Sequence, residues 1–269
     1  MEVDKLNAVE QGLIFEIAKR DPYTFIVNYC STVDEHGVGS RVKLYPRVQN
    51  IYVCNQCKVS YPIDFDPMNT PFAWREKGVL KVIEFKPCPR CGRELQIPWG
   101  YLKAIIDIWK ITRKFLCPKS RQMLLSWTMV CCHLWEDIVA PNTLSMWQSK
   151  TEDKAKELIK RAGDVHSHFP QFIVDMESYG ALKRPPSQLE YWFVNGSRVK
   201  AVPKGPEQAT SFTCSSFLSD EMAYQEEAAA AYAEVVPTLG GIGRFTGIST
   251  LNGEEFFWRL INDKKEGEV

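Results

Sequence analysis

Residues 119–126, with the sequence KSRQMLLS, have the length and the final hydroxyl of a phosphate-binding loop. The standard loop, G-x-x-x-x-G-K-[ST], holds phosphate oxygens with backbone N–H groups, a lysine and a hydroxyl that binds Mg²⁺. Here Leu125 occupies the usual lysine position and Leu124 the preceding glycine position. Lys119 and Arg121 are the cations of this loop that can reach a phosphate. The octet alone is equally compatible with a basic turn before a helix.

The sequence around the octet supplies the elements that such a loop needs. Residues 114–117 before it have strand character, and the apolar positions of residues 127–138 repeat with the period of a helix. Farther along the chain, the adjacent acids Asp220 and Glu221 follow a short segment in which Ser215, Ser216 and Ser219 dilute the apolar residues. Paired acids of this kind can hold Mg²⁺ and activate water for phosphoryl transfer. Together these features predict a nucleotide hydrolase.

Four segments resemble, in the same order, the motifs of the large terminase subunits of tailed phages, the ATPases that package viral DNA. They are the loop at 119–126, the segment 195–206, the acidic segment 217–223 and the segment 248–253. The resemblance covers residues 99–258, and four motifs in order are more specific than any one of them. It implies an α/β P-loop fold of the additional-strand, catalytic-glutamate type, with a mainly parallel central sheet.

The resemblance also implies ATP as substrate and Mg²⁺ as its metal. The loop residues that would bind the nucleotide are Lys119, Ser120, Arg121 and Gln122. Ser126 and Asp220 would hold Mg²⁺, and Glu221 would polarise the attacking water.

A coupling motif is implied at the last of the four segments. Ser249, Thr250 and Asn252 would sense the γ-phosphate and pass its loss to the parts that grip DNA. The predicted catalytic residues are therefore Lys119, Arg121, Glu221 and Asn252. The family often carries an arginine before its acidic pair that acts on a neighbouring subunit, and it is missing here; Arg198, Lys204 or Arg244 are the candidate substitutes.

The partners implied by the resemblance are double-stranded DNA, a portal protein and a small terminase subunit. The assembled form would be a homo-oligomeric ring docked on a procapsid in the host cytoplasm. The formal net charge of +0 excludes a basic field over the whole surface, so DNA contacts must be local. Neither a membrane-spanning apolar run nor a signal peptide is apparent in the sequence.

Two Cys-x-x-Cys pairs, Cys54 with Cys57 and Cys88 with Cys91, have the spacing of a four-thiolate zinc site. Four thiolates leave no open coordination position, so the expected role of zinc is structural. The alternative is two unrelated reduced pairs. The remaining cysteines lie in apolar surroundings and are expected in the core: Cys30, Cys117, Cys131, Cys132 and Cys214.

The predicted organisation has two parts. Residues 1–98 would form an N-terminal helix and an inserted zinc ribbon, and residues 99–269 would form the P-loop core, with no length left for the nuclease domain of the family. A helical pattern runs over residues 4–29, with apolar positions at Leu6, Val9, Leu13, Ile14, Ile17 and Ala18, and ends near Asp21.

Three local expectations are specific enough to test. Ser149 and Glu152 form a capping-box pattern before a helix. Residues 191–202 predict a hairpin with a type I′ turn at Asn195 and Gly196. His166 and His168 are expected to be solvated near a helix end.

Two alternative functions remain. The first is a helicase-like ATPase, which would need a second motor domain. The second is a zinc-ribbon module that binds protein or nucleic acid on a degenerate, weakly active or inactive ATPase scaffold. Leu124 and Leu125 are the residues that favour it. Titration with Mg-ATP separates an active site from an inactive scaffold.

Overall fold

This computed structural model describes residues 7–34, 41–121, 123–202 and 213–262. The helices within these ranges are α1 (Ala8–Ala18), α2 (Pro22–Tyr29), α3 (Gly100–Ile111), α4 (Leu125–Val139), α5 (Glu152–His166), α6 (Gln171–Val174), α7 (Ala228–Thr238) and α8 (Phe256–Asn262), with a 3₁₀ turn at Met222–Tyr224. The strands are β1 (Ser31–Asp34), β2 (Arg41–Leu44), β3 (Ile51–Cys54), β4 (Val59–Pro62), β5 (Ala73–Glu76), β6 (Val79–Val82), β7 (Lys114–Pro118), β8 (Leu144–Gln148), β9 (Glu190–Trp192), β10 (Arg198–Ala201), β11 (Ser216–Asp220) and β12 (Arg244–Ser249).

A six-stranded sheet organises the described part of the chain, in the order β7-β12-β11-β8-β10-β9. All neighbours are parallel except β9, which pairs antiparallel with β10 at one edge. Strand β12 lies between β7, which leads into the basic loop, and β11, which ends at Asp220. This extra strand between the loop and the acids confirms the predicted α/β class with a mainly parallel sheet.

Helices cover both faces of the sheet, as a parallel sheet requires. Alternate residues of the buried strands point to opposite sides: Trp147 and Leu218 join the larger apolar cluster with α3, α4 and α5. Met146 and Phe217 join a second cluster with α7 and α8. The carboxyl ends of β7, β11 and β12 therefore meet at one edge, where ligands of open parallel sheets usually bind.

The N-terminal third packs against the helices α3, α4 and α5 that cover the first of these faces, and it adds three two-stranded sheets, β1-β2, β3-β4 and β5-β6. Its buried residues, including Tyr52 and Leu95, are continuous with the larger apolar cluster. The Trp135 side chain on α4 donates to the Ala18 carbonyl at 2.9 Å, which ties α1 to the core.

The helix predicted over residues 4–29 is two helices, α1 and α2. Asp21 begins α2 by accepting a hydrogen bond from the Thr24 amide, and Pro22 at the first helical position suits that start. The predicted apolar face is also wrong in part, because Val9, Leu13 and Ile17 are 73%, 63% and 57% exposed.

Three local expectations are wrong. The cap of α5 is Thr151, which accepts from the Lys154 amide, not Ser149. In the hairpin, Gly196 has a φ of +88° but Asn195 does not have a positive φ, so the turn is not type I′. His166 is buried, with Nε2 hydrogen-bonded to the Gly180 carbonyl at 2.7 Å, whereas His168 is exposed as expected.

Several sequence predictions concern residues outside the described ranges. These are Leu6, Gln122, Lys204, the end of the 195–206 segment and the last seven residues of the chain. Among the helices that the structure describes, none is long and apolar enough to cross a bilayer.

Candidate functional site

The basic loop lies between β7 and α4, as the sequence predicted. Strand β7 ends at Pro118 and α4 begins at Leu125. Leu124, in the position of the usual glycine, has φ 56° and ψ 9°, in the left-handed region. The backbone thus adopts the conformation that glycine favours, although leucine enters it at a cost of about 1–2 kcal/mol.

Lys119 brings the loop and the acidic pair together. Its Nζ donates to Ser126 Oγ at 2.9 Å and to Asp220 Oδ1 at 3.1 Å, and it lies 3.1 Å from Glu221 Oε1. Ser126 Oγ also donates to Asp220 Oδ1 at 3.1 Å. The side chains of Lys119 and Asp220 are 9% and 8% exposed, so their attraction is little screened.

The donor set of Ser126 and Asp220 fits a magnesium ion. A hydroxyl and a carboxylate are ligands that Mg²⁺ accepts, and neighbouring ligands of its octahedron at 2.0–2.1 Å are about 2.9 Å apart. The observed separation of 3.1 Å between Ser126 Oγ and Asp220 Oδ1 is close to that spacing.

Glu221 begins the turn after β11 in an uncommon backbone conformation. Its φ of 53° and ψ of 42° lie in the left-handed region, and its amide donates to Asp220 Oδ1 at 3.0 Å. The side chain is 28% exposed, more than that of Asp220. The carboxylate of Glu221 can therefore reach a solvent molecule while Asp220 stays within the protein.

Ser249 joins the three segments of the site. Its carbonyl accepts from the Lys119 amide at 2.8 Å. Its Oγ accepts from the Ala223 amide at 3.1 Å and donates to the Thr250 carbonyl at 2.8 Å. Thr250 Oγ1 donates to the Tyr224 hydroxyl at 3.3 Å. Sequence reasoning gave no site role to Ala223, which ends the acidic segment 217–223, or to Tyr224, which follows it; their closeness to the acidic pair was the available signal.

Other predicted site residues are not brought into this cluster. Ser120 and Arg121 are exposed on the loop. Asn252 is exposed beyond β12, and its amide donates to Glu255 Oε1 at 3.3 Å. Gln122 lies outside the described residues. The roles of these residues toward a nucleotide stay predictions.

The expectation that Arg244 could act on a neighbouring subunit is wrong. It is 5% exposed, it donates to the carbonyls of Trp109 and Thr112, and it pairs with Glu136 at 3.4 Å. Arg198 is the first residue of β10. It therefore lies at the amino ends of the parallel strands, opposite the carboxyl ends near which Lys119 lies.

The four predicted zinc ligands converge. The Sγ atoms of Cys54, Cys57, Cys88 and Cys91 all lie within 4.8 Å of one another, and Cys54 Sγ and Cys91 Sγ are 3.6 Å apart. Tetrahedral zinc with Zn–S bonds of 2.3 Å places its sulfurs about 3.8 Å apart, so the cluster fits this metal.

The two cysteine pairs have the same backbone turn. The amide of Lys58 donates to the Cys54 carbonyl at 2.8 Å, and the amide of Gly92 donates to the Cys88 carbonyl at 2.8 Å. Both residues have positive φ, 55° for Lys58 and 73° for Gly92. This repetition in two segments distant in sequence favours a built ligand site over two unrelated reduced pairs.

Hydrogen bonds stabilise one thiolate of the cluster. Burial raises the pKa of Cys88, but the Tyr61 hydroxyl and the Arg90 and Cys91 amides outweigh it and lower the pKa to about 6. The Tyr61 oxygen lies 3.6 Å from Cys88 Sγ. Hydrogen bonding to Cys91 raises the pKa of Cys57 to about 12, as expected of thiols that share a proton.

The other cysteines are apart from this cluster. Cys30, Cys131, Cys132 and Cys214 are buried, as predicted, and Cys117 is half-buried.

Comparison with known proteins finds similar folds. Neither a protein-family model nor a curated protein matches the sequence. The large terminase ATPase domain of Thermus phage P74-26 overlaps with a TM-score of 0.46 and 17% identity, over 55% of this chain and 64% of that chain. The large terminase of bacteriophage HK97 overlaps with a TM-score of 0.43 and 15% identity, over 62% of this chain and 36% of that chain. These values are too low to assign the chain to a family.

Proposed function

We propose that the protein hydrolyses ATP at the carboxyl edge of its parallel sheet. The observation that carries the proposal is the contact of Lys119 with Ser126, Asp220 and Glu221, all within 3.1 Å. Loop lysine, hydroxyl, metal-binding acid and water-activating acid are the parts that phosphoryl transfer needs.

Each group has a separate task. Lys119 binds the nucleotide phosphates, exchanging its carboxylate partners for phosphate oxygens. Ser126 and Asp220 hold Mg²⁺, which neutralises phosphate charge when bound. Glu221 accepts a proton from the attacking water and orients it. Arg121, exposed on the loop, adds a second cation to the phosphates. Ser249 keeps these groups in register through its contacts with Lys119.

We further propose that this ATPase is the motor domain of a viral terminase large subunit that moves double-stranded DNA into a procapsid. Support comes from four motifs that resemble the family in the same order. A portal protein, a small terminase subunit and a homo-oligomeric ring in the host cytoplasm are the corresponding partners and setting. Residues 1–98 form the zinc-ribbon part and residues 99–269 the motor part of this proposal.

A second candidate is a zinc-ribbon binding module on an inactive ATPase scaffold. It is favoured by the ion pairs of Lys119 with Asp220 and Glu221, which compete with phosphate, and by the left-handed Leu124. Titration with Mg-ATP, followed by phosphate release, separates the two. Saturable binding that depends on Lys119, with turnover, supports the ATPase; a folded protein that binds no Mg-ATP supports the scaffold.

A further inference from the structure

One face of the β9–β10 edge carries charged side chains and a tryptophan. Arg198 pairs with Trp192, and Lys200 with Glu190, across the antiparallel register. Side chains of paired residues lie on the same face of a sheet. The intervening Val199 is buried in the larger apolar cluster, so Arg198 and Lys200 project from the opposite face.

Trp192 holds two guanidinium groups. Arg184 Cζ lies 4.2 Å and Arg198 Cζ 4.7 Å from its ring centroid. The indole nitrogen donates to Glu190 Oε2 at 2.9 Å, and Arg184 pairs with the same oxygen at 2.8 Å. Because an aromatic ring attracts cations over its face, Trp192 fixes the guanidiniums in place and lowers the entropy lost when they bind a ligand.

Positive charge predominates in this segment, although the chain as a whole has a formal net charge of +0. Between positions 183 and 201 the charged residues are Lys183, Arg184, Glu190, Arg198 and Lys200. This segment therefore carries four cations and one carboxylate, and that carboxylate pairs with Arg184 at 2.8 Å and with Lys200 at 3.9 Å. We name this surface, defined by Lys183, Arg184, Trp192, Arg198 and Lys200, the basic face.

We propose that the basic face binds the phosphate backbone of double-stranded DNA. Arginines match phosphate oxygens with paired N–H donors, and lysine adds a point charge. The charge complementarity is the reason for a polyanionic partner; the choice of duplex DNA among polyanions rests on the proposed function. The proposed contacts join charged side chains of the protein to phosphates of the DNA and reach no base edge. Binding should therefore be independent of base sequence.

The basic face is separate from the ATPase site. Strand β8 lies between β10 and the strand that ends at Asp220. DNA binding can therefore be measured without nucleotide, and hydrolysis without DNA.

The experiment measures binding of the full chain to a short fluorescent DNA duplex by anisotropy across a salt series. Two double variants remove two charges each: Lys183→Gln with Arg184→Gln before β9, and Arg198→Gln with Lys200→Gln on β10. Each should weaken binding roughly 10- to 100-fold near 0.1 M salt and reduce the slope of log K against log salt by about 2. Having two variants in different segments protects against a folding defect in one.

The control removes two exposed lysines elsewhere, Lys77→Gln with Lys81→Gln at the β5–β6 hairpin. It should leave affinity and slope near the wild-type values. Equal weakening by the control, tighter binding of a heparin chain than of DNA, or no duplex binding by the wild type at low salt would overturn the inference. If neither the wild type nor any of the variants hydrolysed ATP, while DNA binding still depended on the basic face, only the proposed ATPase would be refuted.

Discussion

The Nζ of Lys119 and Oδ1 of Asp220 lie 3.1 Å apart although 101 positions separate the residues in sequence. With Glu221 also 3.1 Å from Lys119, one ammonium faces two carboxylates. The cluster carries one negative charge in excess, which attracts a divalent cation. In the proposed ATPase, a Mg²⁺ ion held by Ser126 and Asp220 would reverse the sign of that charge and make this end of the sheet attractive to a triphosphate. The proposal therefore implies tighter binding of the metal–nucleotide complex than of free nucleotide.

Lys119→Ala is expected to lower Mg-ATP affinity or turnover by about 10²–10³-fold, as expected for losing one charged contact to a phosphate in a partly dry site. Isothermal titration and a phosphate-release assay measure the two quantities. Lys110→Ala and Lys114→Ala serve as controls, since Lys110 pairs with Asp21 at 3.1 Å and Lys114 lies over the Tyr232 ring.

Arg121→Ala separates the two loop cations. A silent Lys119→Ala beside an inactive Arg121→Ala would transfer the phosphate role to Arg121. If both were silent, the loop would not be a phosphate site, and the inactive scaffold would be favoured.

Glu221→Gln should abolish hydrolysis while leaving nucleotide binding within a few-fold of wild type. The amide keeps the shape of the side chain but cannot accept a proton from water, and removal of such a base typically costs about 10²–10⁴ in rate. Single-turnover phosphate release with a high protein concentration is the measurement. Turnover at the wild-type rate would show that Asp220 and Glu221 do not act as a metal ligand and a general base.

Much of the sheet was predictable because strand, loop and helix each leave a local pattern. The strand and the helix around the loop at 119–126 could be placed from apolar periodicity, whereas the loop as a phosphate site and the acids at the end of β11 were assigned with the help of the resemblance. The two cysteine pairs were predictable for the same reason, since their spacing is local. Ser249 was assigned from a resemblance, but its contacts with Lys119 and Ala223 depend on how β12 inserts between β7 and β11.

Two of the errors, the buried face of α1 and the burial of His166, share a physical cause. In α1, Val9, Leu13 and Ile17 form one apolar stripe at helical spacing, and Phe15 and Ala18 form another. Only tertiary packing decides that the second stripe is buried and the first is exposed. His166 is likewise buried by contacts distant in sequence, through the Gly180 carbonyl. Periodicity identifies a helix but does not choose its buried face when apolar residues cover more than one.

Leu124 provides a test of backbone strain in the loop. Its φ of 56° favours glycine, so Leu124→Gly should be more stable than Leu124→Ala by about 1 kcal/mol, the reverse of the order in a helix interior. Both variants lose the same leucine contacts, which makes alanine the matched control. Urea unfolding of the two proteins gives the difference. Equal stability, or a more stable alanine variant, would contradict the left-handed assignment.

Purified, reduced protein should contain one zinc ion per chain, held by the four clustered cysteines. Cys88→Ser should abolish stoichiometric zinc and lower the melting temperature, because metal binding in such a module is coupled to folding. Cys117→Ser is the matched control, since this half-buried thiol lies outside the cluster and should leave the metal content unchanged. Elemental analysis of both variants checks the expectation; wild-type protein without metal, or equal loss from both variants, would exclude the site.

His133 predicts a pH dependence of stability. The ring is fully buried, with Nδ1 3.1 Å from Ser216 Oγ and Nε2 3.0 Å from Thr246 Oγ1. Burial, with the charge of Arg244 second, lowers its pKa from 6.5 to about 3. Below the unfolded value the denatured chain binds a proton that the folded chain does not. The free energy of unfolding should therefore fall as pH decreases from about 6.5 towards 3, by up to about 1.4 kcal/mol per pH unit.

His133→Gln keeps a donor and an acceptor at this position but does not titrate. Its stability should fall less steeply than that of the wild type over this interval, whatever its absolute value. Asp137 changes stability in the opposite direction, because burial raises the pKa of its carboxyl. Asp137 and the cysteines are present in both proteins, so their contributions cancel when the two pH slopes are compared. Urea unfolding at pH steps from 7 down to about 4.5 gives the two slopes, and parallel curves would show that His133 does not carry the effect.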